Sequence, residues 1–125
     1  MGYDSFRNHL NLAAEKVHEN ADRHGFYQDI ERLLDYLIRN DMPQYAETAK
    51  RDFILAQLSK IASEVGEAVS CIQHSRDMTG LPEELADIII RTMDLSNWLG
   101  YEIGTNTEMK MLKNSTRPYK HGKTC

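Results

Sequence analysis

Apolar residues recur along this chain at intervals of three and four positions, and this spacing predicts helices almost throughout. The apolar stripe of a first helix, expected from about residue 4 or 5 to residue 23, includes Leu10, Ala14 and Val17. A second amphipathic segment covers about residues 29 to 39. The alternation typical of strands is nearly absent. We therefore predict an all-α protein.

Three further helices are predicted in the rest of the chain. The longest extends over about residues 44 to 74, after a break at residues 40 to 43 that contains a proline. Pro82 begins the next helix, to about residue 99, because the first position does not need the N–H that proline lacks. A short helix follows, from about residue 105 or 106 to residue 115, and an extended basic tail covers residues 116 to 125.

Glycines mark the expected helix ends, since glycine adopts the left-handed conformation cheaply. Gly25 is predicted to stop the first helix, and Gly100 and Gly104 are predicted to close the fourth, on which Leu85 and Ile89 should face inward. No repeat or low-complexity segment divides the chain, so residues 1 to 125 are predicted to form one domain with a four-helix-bundle-type core. Such bundles often complete their core with a partner, so dimerisation is expected.

Composition favours a soluble protein, with 41% hydrophobic and 27% charged residues. No apolar run approaches the roughly 18 residues of a membrane-spanning helix. The first ten residues lack the basic stretch and apolar run of a signal peptide, so a cytoplasmic location is expected. The two cysteines, Cys71 and Cys125, form neither a disulfide framework nor a metal-ligand pattern.

Charge is distributed unevenly along the chain. The net charge is −4, but residues 109 to 125 carry five basic residues and no acid, so residues 1 to 108 carry −9. A basic segment of this kind is commonly a solvated or nucleic-acid-binding arm. An acidic body with a basic tail also suits a partner that is both metal-bound and anionic. The acidity of the remainder argues against nucleic acid as the main partner, because nucleic-acid binding depends on neutralising phosphates.

Two pairs of acidic residues stand out. Glu64 and Glu67 are three positions apart, as are Glu84 and Asp87, which places each pair on one helix face with Cβ atoms roughly 5–6 Å apart. Apolar residues surround both pairs, whereas a solvated face would show more lysine and arginine. A divalent cation would relieve the repulsion, and carboxylates favour Mg²⁺ or Mn²⁺ over zinc. Spacing alone also allows a plain surface charge pattern.

A di-iron centre is another metal site that helical bundles form, and the sequence fits it less closely than a magnesium site. A di-iron bundle needs two Glu-x-x-His pairs, and only Glu15 with His18 has this form.

Asp94, seven positions after Asp87, suits either a metal ligand or a residue that hydrogen-bonds to a metal ligand. Lys60, one turn before Glu64, suggests an exposed ion pair with it. Three aromatic side chains suit either stacking on a nucleotide base or packing in the core, namely Phe26, Tyr27 and Trp98.

The sequence around the acids resembles a known family. The segments from Ser63 to Ala68 and from Glu84 to Arg91, with sixteen residues between Glu67 and Glu84, are similar to the MazG-like, all-α nucleoside triphosphate pyrophosphohydrolases. The tail from Lys110 to Lys123 resembles that of small MazG-like proteins of bacteria and phages, as does the step His24-Gly25-Phe26. The resemblance covers roughly residues 53 to 123, and residues 29 to 50 fit it least.

The resemblance implies a helical bundle that assembles as a homodimer or homotetramer. It also implies hydrolysis of a nucleoside or deoxynucleoside triphosphate between the α and β phosphates, giving the monophosphate and pyrophosphate. The Mg²⁺ ligands would then be Glu64, Glu67, Glu84 and Asp87, and either Glu64 or Glu67 would activate the water. Phosphates or base would be held by Lys110, Lys113, Asn114 and Arg117.

Several alternatives remain open from the sequence. Phosphoribosyl-ATP hydrolysis, or specificity for dUTP or dCTP, lies within the same superfamily. A non-catalytic metal- or nucleotide-binding helical oligomer would keep the fold without the reaction. Glu83 has no counterpart role in the family, and its acid suits the positive end of a helix dipole.

Overall fold

A computed structural model describes residues 4–74 and 78–119 of the chain, and these residues form five α-helices and no strand. The all-α prediction is confirmed, and most helix ends lie within two residues of their predicted positions. The helices are α1 (Asp4–Arg23), α2 (Gln28–Arg39), α3 (Pro43–His74), α4 (Leu81–Trp98) and α5 (Ile103–Ser115).

Glycine ends two of the helices, as predicted. Gly25 follows α1 with φ of 80°, and its N–H donates to the Asp22 carbonyl oxygen at 2.9 Å. Gly100 follows α4 with φ of 79°. The prediction that Gly104 also closes the fourth helix is wrong, because Gly104 lies within the first turn of α5.

Gly104 instead allows α5 to lie closely against α1. Its N–H donates to Asn11 Oδ1 at 2.6 Å, and Asn11 Nδ2 donates to Thr105 Oγ1 at 3.3 Å. A Cβ at position 104 would overlap the carbonyl oxygen of Arg7. Arg7 Nη1 donates to Glu108 at 2.8 Å one turn further along α5. Glycine is therefore required here by a close helix–helix approach.

Each helix packs mainly against one or two neighbours. α4 lies between α1 and α3, α5 packs on α1 and along the end of α4, and α2 packs on α3. His18 of α1 pairs with Asp94, while Asn11, two turns earlier, meets the start of α5, so α1 and α4 are antiparallel. α1 and α3 thus stand on either side of α4. No helix among the described residues has the length and apolar character needed to cross a membrane.

An aromatic cluster forms the core near the connection between α1 and α2. Tyr27 is 1% exposed, and its ring stacks on that of Trp98 with 5.5 Å between centroids. Phe53 contacts both rings, at 5.8 Å from Tyr27 and 4.9 Å from Trp98. Tyr27 and Trp98 therefore pack in the core, whereas Phe26 is 69% exposed.

Many apolar side chains remain exposed on the single chain. On α4, Leu85 and Ile89 are 49% and 54% exposed, so the prediction that they face the core of the chain is wrong. Two large apolar side chains on α2 and four on α3 are likewise 45% to 65% exposed. We call this set the open apolar face, and it comprises Leu33, Ile38, Leu58, Val65, Val69, Ile72, Leu85 and Ile89.

Candidate metal centre and adjoining cavity

Glu64 occupies a buried position near the middle of α3. It is only 8% exposed, which is rare for glutamate without a partner. Ala68, one turn later on the same side of the helix, is also 8% exposed. Glu67 lies between these two positions and is exposed. α3 therefore presents one buried and one exposed carboxylate.

Helix α4 brings two further carboxylates to Glu64. Glu84 and Asp87 are partly buried, and one carboxylate oxygen from each lies within 4.8 Å of an oxygen of Glu64 and of one another. The structure thus groups three of the four predicted ligands. Glu67 is outside this group of three, but its carboxylate is close enough to influence the pKa of both Glu64 and Glu84.

Arg91 completes the cluster on the α4 side. Its Nε donates to Glu64 Oε1 at 2.8 Å, and this hydrogen bond holds the pKa of Glu64 below its ordinary value. Lys60 was expected to form an ion pair with Glu64, but the described residues contain no ion pair between them. That prediction is wrong because the cation that reaches Glu64 comes from the neighbouring helix.

Two buried carboxylate oxygens have no hydrogen-bond partner in the described part of the chain, namely Glu64 Oε2 and Glu84 Oε2. Such atoms are rare in folded proteins and destabilising. Burial, followed by the proximity of Glu67, raises the pKa of Glu84 above its ordinary value. Unpartnered carboxylate oxygens at this spacing fit a hard divalent cation such as Mg²⁺ or Mn²⁺.

Glutamine at position 84 should stabilise the metal-free protein at neutral pH, because it removes a carboxylate whose charged form is disfavoured. The native state binds this proton more tightly than the unfolded state does. The contribution of Glu84 to stability therefore falls as the pH rises from about 4.5 through the higher native pKa. Thermal melts in EDTA should show Glu84→Gln above wild type at about pH 8 and equal to it at about pH 4.

Mg²⁺ provides the matching control for this prediction. Added in excess at about pH 8, it should raise the melting temperature of wild type more than that of Glu84→Gln, because ligand binding stabilises the native state. A variant that melts below wild type in EDTA at the same pH would contradict the proposed repulsion.

A cavity of about 690 Å³ opens beside the carboxylates, between α1, α3 and α4. Asp87 belongs to both the carboxylate group and the cavity wall. The volume lies in the range typical of small-molecule sites. Positive charge comes from Lys16, Lys60 and Arg91, and the apolar lining from Val17, Ala21, Phe26 and Ile90.

Asp94 lines the same cavity but lies outside the carboxylate group. Its Oδ1 accepts a hydrogen bond from His18 Nδ1 at 2.9 Å, and the His18 ring contacts Tyr27 edge-on with 4.9 Å between centroids. The Tyr27 hydroxyl makes no hydrogen bond of good geometry in the described structure, although burial and the nearby Asp94 carboxylate raise its pKa. Asp94 is thus a hydrogen-bond partner of His18.

The predicted phosphate-binding residues of the tail do not line the cavity. The side chain of Asn114 is partly buried, and its Oδ1 lacks a hydrogen-bond partner among the described residues. The three basic residues, Lys110, Lys113 and Arg117, are exposed. Residues 120–125, which include the remaining tail lysines and His121, lie outside the described residues.

The packing of α5 keeps the predicted phosphate-binding residues away from the carboxylates of the same chain. It meets α1 at Arg7 and Asn11, whereas the cavity begins at Lys16 and continues to Asn20. Arg7 and Asn20 are thirteen positions apart, which is about 20 Å along a helix. Within one chain, the end of α5 therefore lies far from the carboxylate group.

Sequence reasoning missed three residues that the structure places at the site. Arg91 follows Asp87 by four positions, so the spacing rule that grouped the acids would also have placed Arg91 on their face. Lys16 and His18 carried no such signal, because their relation to α4 depends on how α1 packs against it.

Comparison of the chain with known protein families, with curated proteins and with solved structures finds no match. Any function assigned to the chain therefore depends on the geometry of the carboxylates and of the cavity.

Proposed function

We propose that this protein is a Mg²⁺-dependent pyrophosphohydrolase that converts nucleoside or deoxynucleoside triphosphates to the monophosphate and pyrophosphate. The observation that supports it is a group of three carboxylates, two with unpartnered oxygens, beside a cavity that also contains three basic side chains. Carboxylates suit the metal and cations suit the polyphosphate. A MazG-like four-helix core, a cytoplasmic location and a role in controlling the nucleotide pool belong to the same proposal.

The carboxylates would hold Mg²⁺ through Glu64, Glu84 and Asp87, with Glu67 beside them. When bound, the ion neutralises phosphate charge and lowers the pKa of water. Glu67 is the better candidate for general base, because it is exposed and next to the group, whereas Glu64 is engaged by Arg91. One carboxylate oxygen of Glu67 would orient the attacking water and take its proton.

The basic side chains of the cavity would stabilise the negative charge that develops on the leaving pyrophosphate. Arg91 bonds Glu64 through Nε, so its two Nη groups remain as donors for phosphate oxygens. Lys60 on α3 and Lys16 on α1 supply positive charge from the opposite walls. A triphosphate would therefore be held between the carboxylates of α3 and α4 and the cations around them.

A homodimer or homotetramer is part of this proposal. The open apolar face comprises eight large apolar side chains that are each at least 45% exposed on the single chain, and exposed apolar side chains in such number commonly mark protein–protein contacts. Glu108 of α5 contacts Arg7, which is about 20 Å along α1 from Asn20 in the wall of the cavity of the same chain. We therefore place Lys110, Lys113, Asn114 and Arg117 near the phosphates of the partner copy's site.

Mixing two variants, each expected to lose activity because it lacks one component of the site, tests this shared site. Asp87→Asn removes a metal ligand and Arg117→Ala removes a tail cation, so a mixed dimer contains one site with both defects and one intact site. Refolding the two variants together in equal amounts should restore about a quarter of wild-type activity. Two Asp87→Asn preparations mixed in the same way are the control. No recovery from the mixture would remove the tail from the partner's site.

A nucleotide panel tests the reaction itself. The protein is incubated with each common NTP and dNTP and Mg²⁺, and pyrophosphate and monophosphate are quantified together. Equal amounts of the two products from at least one nucleotide are expected, and EDTA should stop their formation. Release of single phosphates would move the cleavage to another bond. No product from any nucleotide would leave a non-catalytic metal- or nucleotide-binding protein.

A further inference from the structure

We propose that Asp94 reads the base of the substrate and selects nucleotides whose base carries an amino group, namely cytosine, adenine and guanine. This inference rests on the proposed function, since it assigns the substrate class of the same cavity. Asp94 lies in the cavity wall, and its carboxylate is oriented by His18. No other part of the proposed reaction uses this pair.

The position of Asp94 suits a base rather than a phosphate. Asp87 and Asp94 lie on the same helix in the same cavity, seven positions apart, which is about 10 Å along α4. A nucleotide with its phosphates at Asp87 would extend its base toward Asp94. Apolar side chains from α1 and α4 lie along this path, and Phe26 offers an exposed ring against which a base could stack.

The chemistry of Asp94 favours one kind of base edge. An ionised carboxylate has about four acceptor positions and no donor, and the bond from His18 uses one of them. Amino groups of cytosine, adenine and guanine donate to such an acceptor. Uracil and thymine instead present one N–H between two carbonyl oxygens, which would repel the carboxylate. The amides of Asn20 and Gln57 also line the cavity, but an amide can either donate or accept and does not discriminate in this way.

The orientation of Asp94 is fixed by its surroundings. The Asp94 side chain is 17% exposed and that of His18 is 20% exposed. The His18 ring packs on Tyr27, which is itself in the core. A carboxylate that is held in this way loses little freedom when a base binds, and this makes its preference sharper. His18 is therefore a positioning residue for Asp94.

Comparing dCTP with dUTP tests the proposal, because the two bases differ at the amino position. Wild type should show a kcat/KM about 10- to 100-fold higher for dCTP. Asp94→Asn should bring the ratio to within about threefold, mainly through KM, because an amide can also donate to a carbonyl oxygen. Equal kcat/KM for the two nucleotides in wild type, or an unchanged ratio in an active Asp94→Asn protein, would overturn it.

Two further variants keep the test informative if Asp94→Asn does not fold. His18→Phe keeps a ring beside Tyr27 but removes the donor to Asp94, so the dCTP preference should fall, mainly through a higher KM for dCTP. An unchanged preference in this variant would count against the proposal. Asp29→Asn makes the same charge change at an exposed position on α2, outside the cavity, and should keep the wild-type ratio.

Binding measurements separate this proposal from the proposed reaction. Calorimetric titration of dCTP and dUTP in Ca²⁺ reports the base preference without turnover. Tighter binding of dCTP with no pyrophosphate from any nucleotide would end the proposed reaction and leave the base preference standing. Hydrolysis of both nucleotides with equal binding would do the reverse.

Discussion

Replacing Asp87 with asparagine is expected to lower kcat for every accepted nucleotide by at least about a hundredfold. Asp87 is the residue that both the carboxylate group and the cavity share, so it connects the metal to the place where a triphosphate would lie. Asparagine keeps the size of the side chain but halves the number of oxygens and removes the charge. Circular dichroism should show unchanged helicity.

Metal binding and a neighbouring control make this prediction specific. Titration with Mn²⁺, followed by calorimetry, should show at least about tenfold weaker binding in Asp87→Asn. Glu83→Gln makes an equal charge change on the same helix at an exposed residue outside the carboxylate group, and should retain wild-type activity and Mn²⁺ affinity. Asp87→Asn with more than about a tenth of wild-type kcat would remove the proposed metal centre.

Replacing Gly104 with alanine should destabilise the fold by about 1–3 kcal/mol. The new Cβ would overlap the Arg7 carbonyl oxygen and lie 2.7 Å from Asn11 Oδ1, so α5 must move away from α1. Overpacking and the weakened Gly104–Asn11 hydrogen bond together oppose folding by about 2–4 kcal/mol. The higher helix propensity of alanine returns only about 1 kcal/mol. The steric effect therefore dominates.

Gly66 offers the same substitution with the opposite expected sign. It lies in the interior of α3, and a Cβ there would meet no atom within 4 Å. Gly66→Ala should therefore raise stability by about 0.5–1 kcal/mol through helix propensity and chain entropy. Urea denaturation of both variants gives the comparison. Similar midpoints for Gly104→Ala and wild type would show that α5 does not depend on this close approach.

The sequence predicted the helices well, because helix formation depends on spacing within a single segment. The spacing of Glu64 with Glu67 and of Glu84 with Asp87 placed each pair on one face. The structure brings Glu64, Glu84 and Asp87 to within 4.8 Å of one another across the two helices. Gly25 was also assigned correctly, since left-handed backbone after a helix is a local property.

What the sequence did not predict depends on contacts between helices. Lys60 is nearer to Glu64 along the chain, yet Arg91 from α4 is the residue that bonds it. Gly104 resembled a helix stop, but in the structure it allows α5 to lie closely against Arg7 of α1, about a hundred positions away in the sequence. Leu85 and Ile89 fit an inward stripe, but no helix of the described residues covers them. Periodicity shows that a face is apolar and does not show what packs on it.

The way α1 packs has a consequence for how the chain folds. α2 and α3 are neighbours both in sequence and in space, and short loops close quickly. Two polar contacts of α1 are instead long-range, joining residues 76 apart at His18–Asp94 and 101 apart at Arg7–Glu108. A high average sequence separation slows folding. During synthesis, α1 therefore cannot pack against α4 and α5 until both helices have emerged from the ribosome.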